Sequence, residues 1–141
     1  MRLKLILSIF SISFLLNLVW ELSQMPLYDV GGLAFWEHFP MCAIATFWDA
    51  VIVLSIYLVL SVSYGDYSWV KNLNWRRFLP VLVIGSLIAL FIEERALYDG
   101  RWAYNELMPI VPFSHAGLSP VLQMFVLPSL TFYLSSKLSK K

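Results

Sequence analysis

The chain has 141 residues, of which 60% are hydrophobic and only 13% charged, with a formal net charge of +1. A soluble domain of this size carries about a quarter charged residues, so the composition reads as one integral membrane domain spanning residues 1–141. The near-neutral charge and the lack of a basic stripe with interleaved aromatics exclude a nucleic-acid partner, and the single cysteine, Cys42, excludes an intrachain disulfide.

The first apolar stretch covers about residues 3–22. Arg2 and Lys4 precede it, as in a signal peptide, but Asn17, Trp20, Glu21 and Met25 stand where small cleavage-site residues would be needed, so the span is expected to be retained. Its end is unusual. In LNLVWELSQMPLY, residues 16–28, Asn17 and Glu21 are four apart and Glu21 and Gln24 three apart, so all three share one helix face.

The second span covers about residues 41–63 and carries Asp49 within continuous apolar sequence, roughly 12 Å from its start at the helical rise. The third covers about residues 78–97. Gly85, Ala89 and Glu93 recur there every four residues, a small-residue stripe that lets helices approach closely and that would turn Glu93 inward. The fourth covers about residues 118–134, with Gln123 near its start. Each is near the roughly 20 residues that cross a bilayer. Backbone groups in lipid must be satisfied within their own segment, so helices are expected: an all-α, four-helix transmembrane bundle with two structured outward-facing loops.

Basic residues orient it. Arg2, Lys4, Lys71, Arg76, Arg77, Lys137, Lys140 and Lys141 flank one side, and only Arg95 and Arg101 the other. The positive-inside rule then expects both termini in the cytoplasm, in a bacterial inner membrane, with residues 23–40 and 95–117 facing outward. On that orientation Asn17, Glu21, Gln24, Asp49, Glu93, Glu94 and Gln123 all collect in the outer half.

A charge deep in a bilayer costs about 2.5–3.5 kcal/mol on insertion scales, so such residues face cavities or one another. Three carboxylates from three helices cannot all ionise cheaply together; at least one should hold its proton, or Arg95 or Arg101 should neutralise it. Glu21, Asp49 and Glu93 are therefore the acid/base candidates. Arg101 and His115 are candidates to hold a polar head or tune a carboxylate, and Asn17, Gln24 and Gln123 to orient groups by hydrogen bonds. Trp20, Trp48 and Trp102 could line an apolar pocket and stabilise developing positive charge, and Glu94 and Tyr104 complete the candidate substrate-binding set, although the tryptophans also fit an aromatic belt and Glu94 a plain helix end. The second outer loop, residues 101–123, contains Pro109, Pro112 and Pro120 with Trp102, Tyr104 and Phe113, and is expected to fold back as an ordered cap. No metal is expected, because neither His38 nor His115 has a ligand partner at suitable spacing, and no cofactor motif is present.

WELSQMPLY and RWAYNELMPIVPFSHAGLSPVLQ resemble a family of small bacterial four-helix integral membrane proteins. The resemblance implies four helices and a bacterial origin and brings no activity. The overall plan is also similar to the EXPERA group, which includes sterol isomerases and sterol-binding relatives; no motif matches residue by residue, so no site residue is carried over.

These features point first to a membrane-embedded enzyme using carboxylate acid/base chemistry on a lipid or isoprenoid-like substrate at the outer leaflet, of isomerase or cyclase type. Its partner would be a membrane lipid or hydrophobic small molecule. A proton-coupled transporter, similar to the four-helix multidrug exporters that use a first-helix glutamate in a homodimer, is the second reading, with Glu21 as coupling site. An accessory protein that binds a partner through its outer loops is the third.

Overall fold

The computed structural model describes residues 2–138, without the side chain of Arg2. Lys140 and Lys141, which enter the charge-based orientation, lie outside the described residues. Four helices run up and down: α1 Arg2–Gln24, α2 Phe35–Tyr64, α3 Trp75–Tyr98 and α4 Leu118–Leu138. All four are long and apolar enough to cross a membrane, and the chain is an all-helical integral membrane bundle. The α1–α2 and α3–α4 connections share one end, the loop end. The α2–α3 connection shares the other with the starts of α1 and the finish of α4.

Two helices extend beyond the apolar runs that mark them. α2 starts at Phe35 because the Glu37 carboxylate accepts from the Ala34 N–H at 2.8 Å and caps the first turn. Pro40 then sits inside the helix, near its start, where the one backbone bond it removes costs least. α3 continues past Glu93 and Glu94 to Tyr98. Its start is fixed by Asn74, whose Oδ1 accepts from the Arg77 N–H at 3.2 Å. α2 ends at Gly65, which takes a left-handed φ of 62° while Asp66 N–H returns to the Ser61 carbonyl at 3.1 Å.

α1 packs against both α2 and α4, and α4 packs against α3, whereas α2 and α3 barely meet. The half of the bundle near the termini is dry. Ile9, Val53, Tyr57, Val81 and Phe132 are fully buried there. The α2–α3 connection tucks beneath them, with Trp69 buried against Tyr57 and Phe132 at ring separations of 6.2 and 5.2 Å. Its indole donates to Ser61 Oγ at 3.1 Å, and Arg77 donates to its carbonyl at 2.8 Å. Polar side chains from all four helices fill the loop-end half instead.

The α3–α4 contact depends on two residues without ordinary side-chain behaviour. Pro128 has no N–H, so the Met124 carbonyl one turn before it loses its helical donor. That carbonyl lies against Gly85, where an added Cβ would stand 2.1 Å from the oxygen. The stripe Gly85, Ala89 and Glu93 is buried along this seam, and the close approach sets the depth at which Glu93 enters the bundle. Gly85→Ala should therefore destabilise the fold by about 3 kcal/mol, the upper end for overpacking, because a backbone oxygen cannot move aside. Unfolding in detergent measures this; a variant as stable as the parent would contradict the close approach.

Candidate functional site

The helical repeat that places Asn17, Glu21 and Gln24 on one face of α1 turns them toward α4. There Gln123, 2% exposed, gathers them. Its Nε2 lies 2.9 Å from Asn17 Oδ1, 3.1 Å from Glu21 Oε1 and 3.0 Å from Asp49 Oδ2. Gln24 Nε2 donates to Glu21 Oε1 at 2.9 Å and to Gln123 Oε1 at 3.0 Å. Ser119 Oγ donates to Gln24 Oε1 at 2.8 Å and accepts from Trp20 Nε1 at 3.3 Å. At the deep end, Asn17 Nδ2 donates to Ser13 O at 2.8 Å and Ser13 Oγ at 3.1 Å. The carboxyls of Glu21 and Asp49 thus meet on one amide nitrogen, Oε1 and Oδ2 both within 3.1 Å of Gln123 Nε2.

Glu93 forms a second, adjoining centre. It is 6% exposed. Trp102 Nε1 donates to its Oε2 at 3.2 Å, and the Tyr104 hydroxyl donates to the same oxygen. Tyr104 oxygen in turn accepts from the Gly117 N–H at 2.9 Å. Gly117 carries no side chain because there is no room for one: a Cβ there would meet Met108 Sδ at 2.8 Å and Tyr104 Cζ at 3.1 Å. The second outer loop is thus an ordered lid. It is zipped to the first by Asp29 N–H to Ala103 O at 2.9 Å and Asn105 N–H to Leu27 O at 3.1 Å. The Asn105 side chain adds a bond to Pro26 O at 2.6 Å.

Four expected site residues lie elsewhere. Trp48 is 59% exposed on the outer surface; it precedes Asp49 by one residue, about 100° around the helix, so the rotation that brings Asp49 inward turns Trp48 toward lipid. Arg101 pairs with Asp99 at 3.2 Å, and Arg95 pairs with the same carboxylate at 3.1 Å. Asp99 is the nearer partner because Gly100, with φ 66°, turns the chain back at the helix end, and neither cation neutralises the buried carboxylates. Glu94 and His115 pair with each other at the rim, His115 N–H to Glu94 Oε1 at 2.6 Å and Nδ1 to Oε2 at 3.3 Å. Glu94 follows Glu93 by one residue, so it leaves the core where Glu93 enters it. Among the described residues, no Lys, Arg or His forms an ion pair with Glu21, Asp49 or Glu93.

A shallow groove of about 900 Å³ runs along the outside of the lid, walled by Glu94, Leu97, Tyr98, Trp102 and Tyr104 among others. It touches the lid residues that hold Glu93, but Glu21 and Asp49 do not line it. Of these three carboxyl groups, only Glu93 adjoins the groove, through Trp102 and Tyr104.

Sequence reasoning passed over Tyr28 and Ser119. Tyr28 meets Tyr104 edge to face at 5.4 Å. Burial, first of all, pushes its phenol well above the ordinary tyrosine range. No local pattern marks it, because the contact joins two loops. Ser119 had a signal: it precedes Gln123 by four residues and so shares its face. Thr46, one turn from Asp49, is buried with no hydrogen-bond partner for its Oγ1 among the described residues. Also among the described residues, no cluster of His, Cys, Asp and Glu could hold a metal ion.

No protein-family model, curated protein or solved structure matches the chain.

The lid gives a pH prediction. Burial, and next the bond to Glu93, also raises the Tyr104 phenol above its ordinary range. Below about pH 10 both folded and unfolded phenols are protonated, so Tyr28 and Tyr104 impose no penalty. Above it the unfolded chain ionises them and the fold does not, so stability falls as pH rises. In an ultraviolet titration of the seven tyrosines, these two should be missing from the first ionisation step. Tyr28→Phe and Tyr104→Phe should leave its amplitude unchanged; a drop would refute the buried placement.

Proposed function

We propose that this protein is a membrane-embedded enzyme that applies carboxylate acid/base chemistry to a lipid or isoprenoid-like substrate, in a reaction of isomerase or cyclase type. The observation that carries the reading is the convergence of the Glu21 and Asp49 carboxyls on the Gln123 amide nitrogen, at 3.1 and 3.0 Å, with no cation paired to either among the described residues. Two like charges gathered on one amide in a low-dielectric setting disfavour double ionisation, so the pair is proposed to hold one proton. Without a cation in reach, that proton also removes one of two adjacent buried charges.

Such a pair suits an alkene substrate. The carboxyl O–H bond breaks as a C–H bond forms, and positive charge develops on the neighbouring carbon. The partner carboxylate then takes a proton from an adjacent carbon, and the double bond reforms one position along. The pair ends with one proton, as it began, and needs no cofactor. Trp20 and Trp102, at the edges of the two centres, offer aromatic faces to the cationic stage. Glu93, held by Trp102 and Tyr104, supplies a second anionic group beside it.

The proposed setting is the outer leaflet of a bacterial inner membrane, with both termini cytoplasmic, supported by the eight Lys and Arg residues named above on the termini side. Reporter fusions at the C-terminus should read as cytoplasmic, and an external reading would reverse the leaflet.

Solvent deuterium tests the chemistry directly. Membranes containing the protein, suspended in heavy water, should place deuterium on carbon in one extractable lipid class. Glu21→Gln and Asp49→Asn should each slow incorporation by about 100-fold or more, the usual contribution of a general acid or base. Incorporation that both variants leave intact would remove the acid/base role.

A further inference from the structure

The groove outside the lid begins at Leu97 and Tyr98, in the last turn of α3, where the helix long and apolar enough to cross a membrane stops. Its volume of about 900 Å³ lies within the ~300–1,000 Å³ of small-ligand clefts. Aromatic residues at such a depth ordinarily turn their polar atoms toward water and headgroups. Trp102 and Tyr104 do the reverse. Their N–H and O–H both donate inward to Glu93 Oε2, so the carbon surface of the two rings is left to wall the groove. Tyr98 adds a third ring and is 84% exposed.

Charge of both signs stands at the edges. Glu94 lines the groove on one side. His115 holds this carboxylate by its backbone N–H at 2.6 Å and approaches with Nδ1 at 3.3 Å. A carboxylate offers about four lone-pair sites, so a further donor can still be accepted. Arg95 and Arg101 stand on the other side. The Arg95 guanidinium lies over the Tyr98 ring, 5.6 Å from its centroid, and Arg101 sits in the chain between the wall residues Gly100 and Trp102. Both arginines bind one oxygen of Asp99, at 3.1 and 3.2 Å. Two cations on one carboxylate leave a positive charge over, with most of their N–H donors unspent.

A purely anionic ligand suits this end of the molecule poorly. Apart from the three deep carboxyls, it carries Asp29, Glu37, Glu94, Asp99 and Glu106 against two arginines. A purely cationic ligand leaves the surplus arginine charge unmet. An apolar track leads away from the groove toward the bilayer interior. Leu87, Phe91, Glu94 and Tyr98 follow at spacings of four, three and four and so share one helix face, and Leu87 and Phe91 are exposed.

We propose that the groove binds the zwitterionic head of a membrane phospholipid, with the phosphate on Arg95 and Arg101 and the ammonium against Glu94 and the rings of Tyr98 and Trp102. Guanidinium N–H groups match phosphate oxygens in pairs. The ammonium is attracted to the aromatic faces, and a primary one also donates to Glu94. The acyl chains follow Phe91 and Leu87. Glu21 and Asp49 do not line the groove, so this site stands apart from the acid/base reading and its failure leaves that reading untouched.

Native mass spectrometry of the full chain in detergent, with phosphatidylethanolamine and phosphatidylglycerol added in equal amounts, tests the site. The parent should retain phosphatidylethanolamine in preference. Glu94→Gln keeps an acceptor for His115 and should weaken that binding by about tenfold or more, the scale of a hydrogen bond to a charged group, and remove the preference. Arg95→Gln combined with Arg101→Gln should weaken both lipids. Tyr98→Leu keeps apolar surface at an exposed position and should cost about threefold, the scale of an exposed cation–π contact; it carries the test if the Glu94 variant fails to fold. Soluble glycerophosphoethanolamine, which lacks acyl chains, should not displace the lipid at equal concentration. Equal retention of the two lipids by the parent overturns the proposal, as does retention unchanged in Glu94→Gln and Tyr98→Leu. Binding unchanged in the double arginine variant overturns the phosphate placement. Displacement by the soluble head makes a free solute the occupant, and a lipid-free dimer gives the groove to a second copy; either result overturns the lipid assignment.

Discussion

At the depth of the acyl chains no water is available to complete a hydrogen bond, so a strongly polar group that enters the bundle is costly unless another completes it. Gln123 is where that constraint closes. Its single amide joins α1 through Asn17, Glu21 and Gln24, and α2 through Asp49. α2 and α4 are otherwise poorly connected, so the polar centre does part of the work that apolar packing does near the termini. This also explains the split between the two halves. The terminal half buries Ile9, Val53, Val81 and Phe132, and its buried polar side chains are hydroxyls such as Ser61 and Thr131, with no carboxylate among them. The loop-end half has traded apolar packing for a network that holds together only as a set.

The second dependency runs through the loops. Glu93 sits at the end of the seam set by Gly85 and the free Met124 carbonyl, one helix away from the Gln123 network. Its donors come from neither helix. Trp102 and Tyr104 reach it from the lid, and the lid keeps its place through backbone bonds to Leu27 and Asp29 at the end of α1. The segment Met25–Leu27 therefore does two things: it ends the helix that presents Glu21, and it fixes the loop that covers Glu93. Gly117 completes the arrangement, since its bare backbone is what allows Tyr104 and Met108 to approach.

What sequence could show followed from periods within one helix. Spacing alone puts Asn17, Glu21 and Gln24 on a common face, and the apolar flanks of Asp49 and the stripe ending at Glu93 turn those residues inward, where the structure has them. It failed where adjacency in sequence meant separation in space. Trp48 beside Asp49, and Glu94 beside Glu93, point away from their neighbours for the same rotational reason. Arg101 pairs with Asp99 and not with the deep carboxyls, because Asp99 is local and competes with any distant carboxylate. Tyr28 could not be found at all, since its surroundings exist only when residues 28 and 104 meet across two loops.

An acid/base enzyme and a proton-coupled exporter place different demands on the same carboxylates. Alternating access needs a site near the bilayer midplane that each side reaches in turn. Here the way from Asp49 toward the termini is blocked by Val53, Ile56, Tyr57 and Phe132, closed beneath by Trp69, all of them essentially buried. The loop end is covered by the zipped loops. Three of the four helix seams around the ring are tightly packed, and the fourth, between α2 and α3, is the loosest. Asp49 stands on one of those helices and Glu93 on the other, and Asp49 is only half-buried. Under the proposed function, a substrate dissolved in the bilayer would reach that seam without crossing either aqueous face. On the proposed acid/base reading the substrate would arrive from the side, and that would separate such an enzyme from a carrier with a midplane site open to each face in turn.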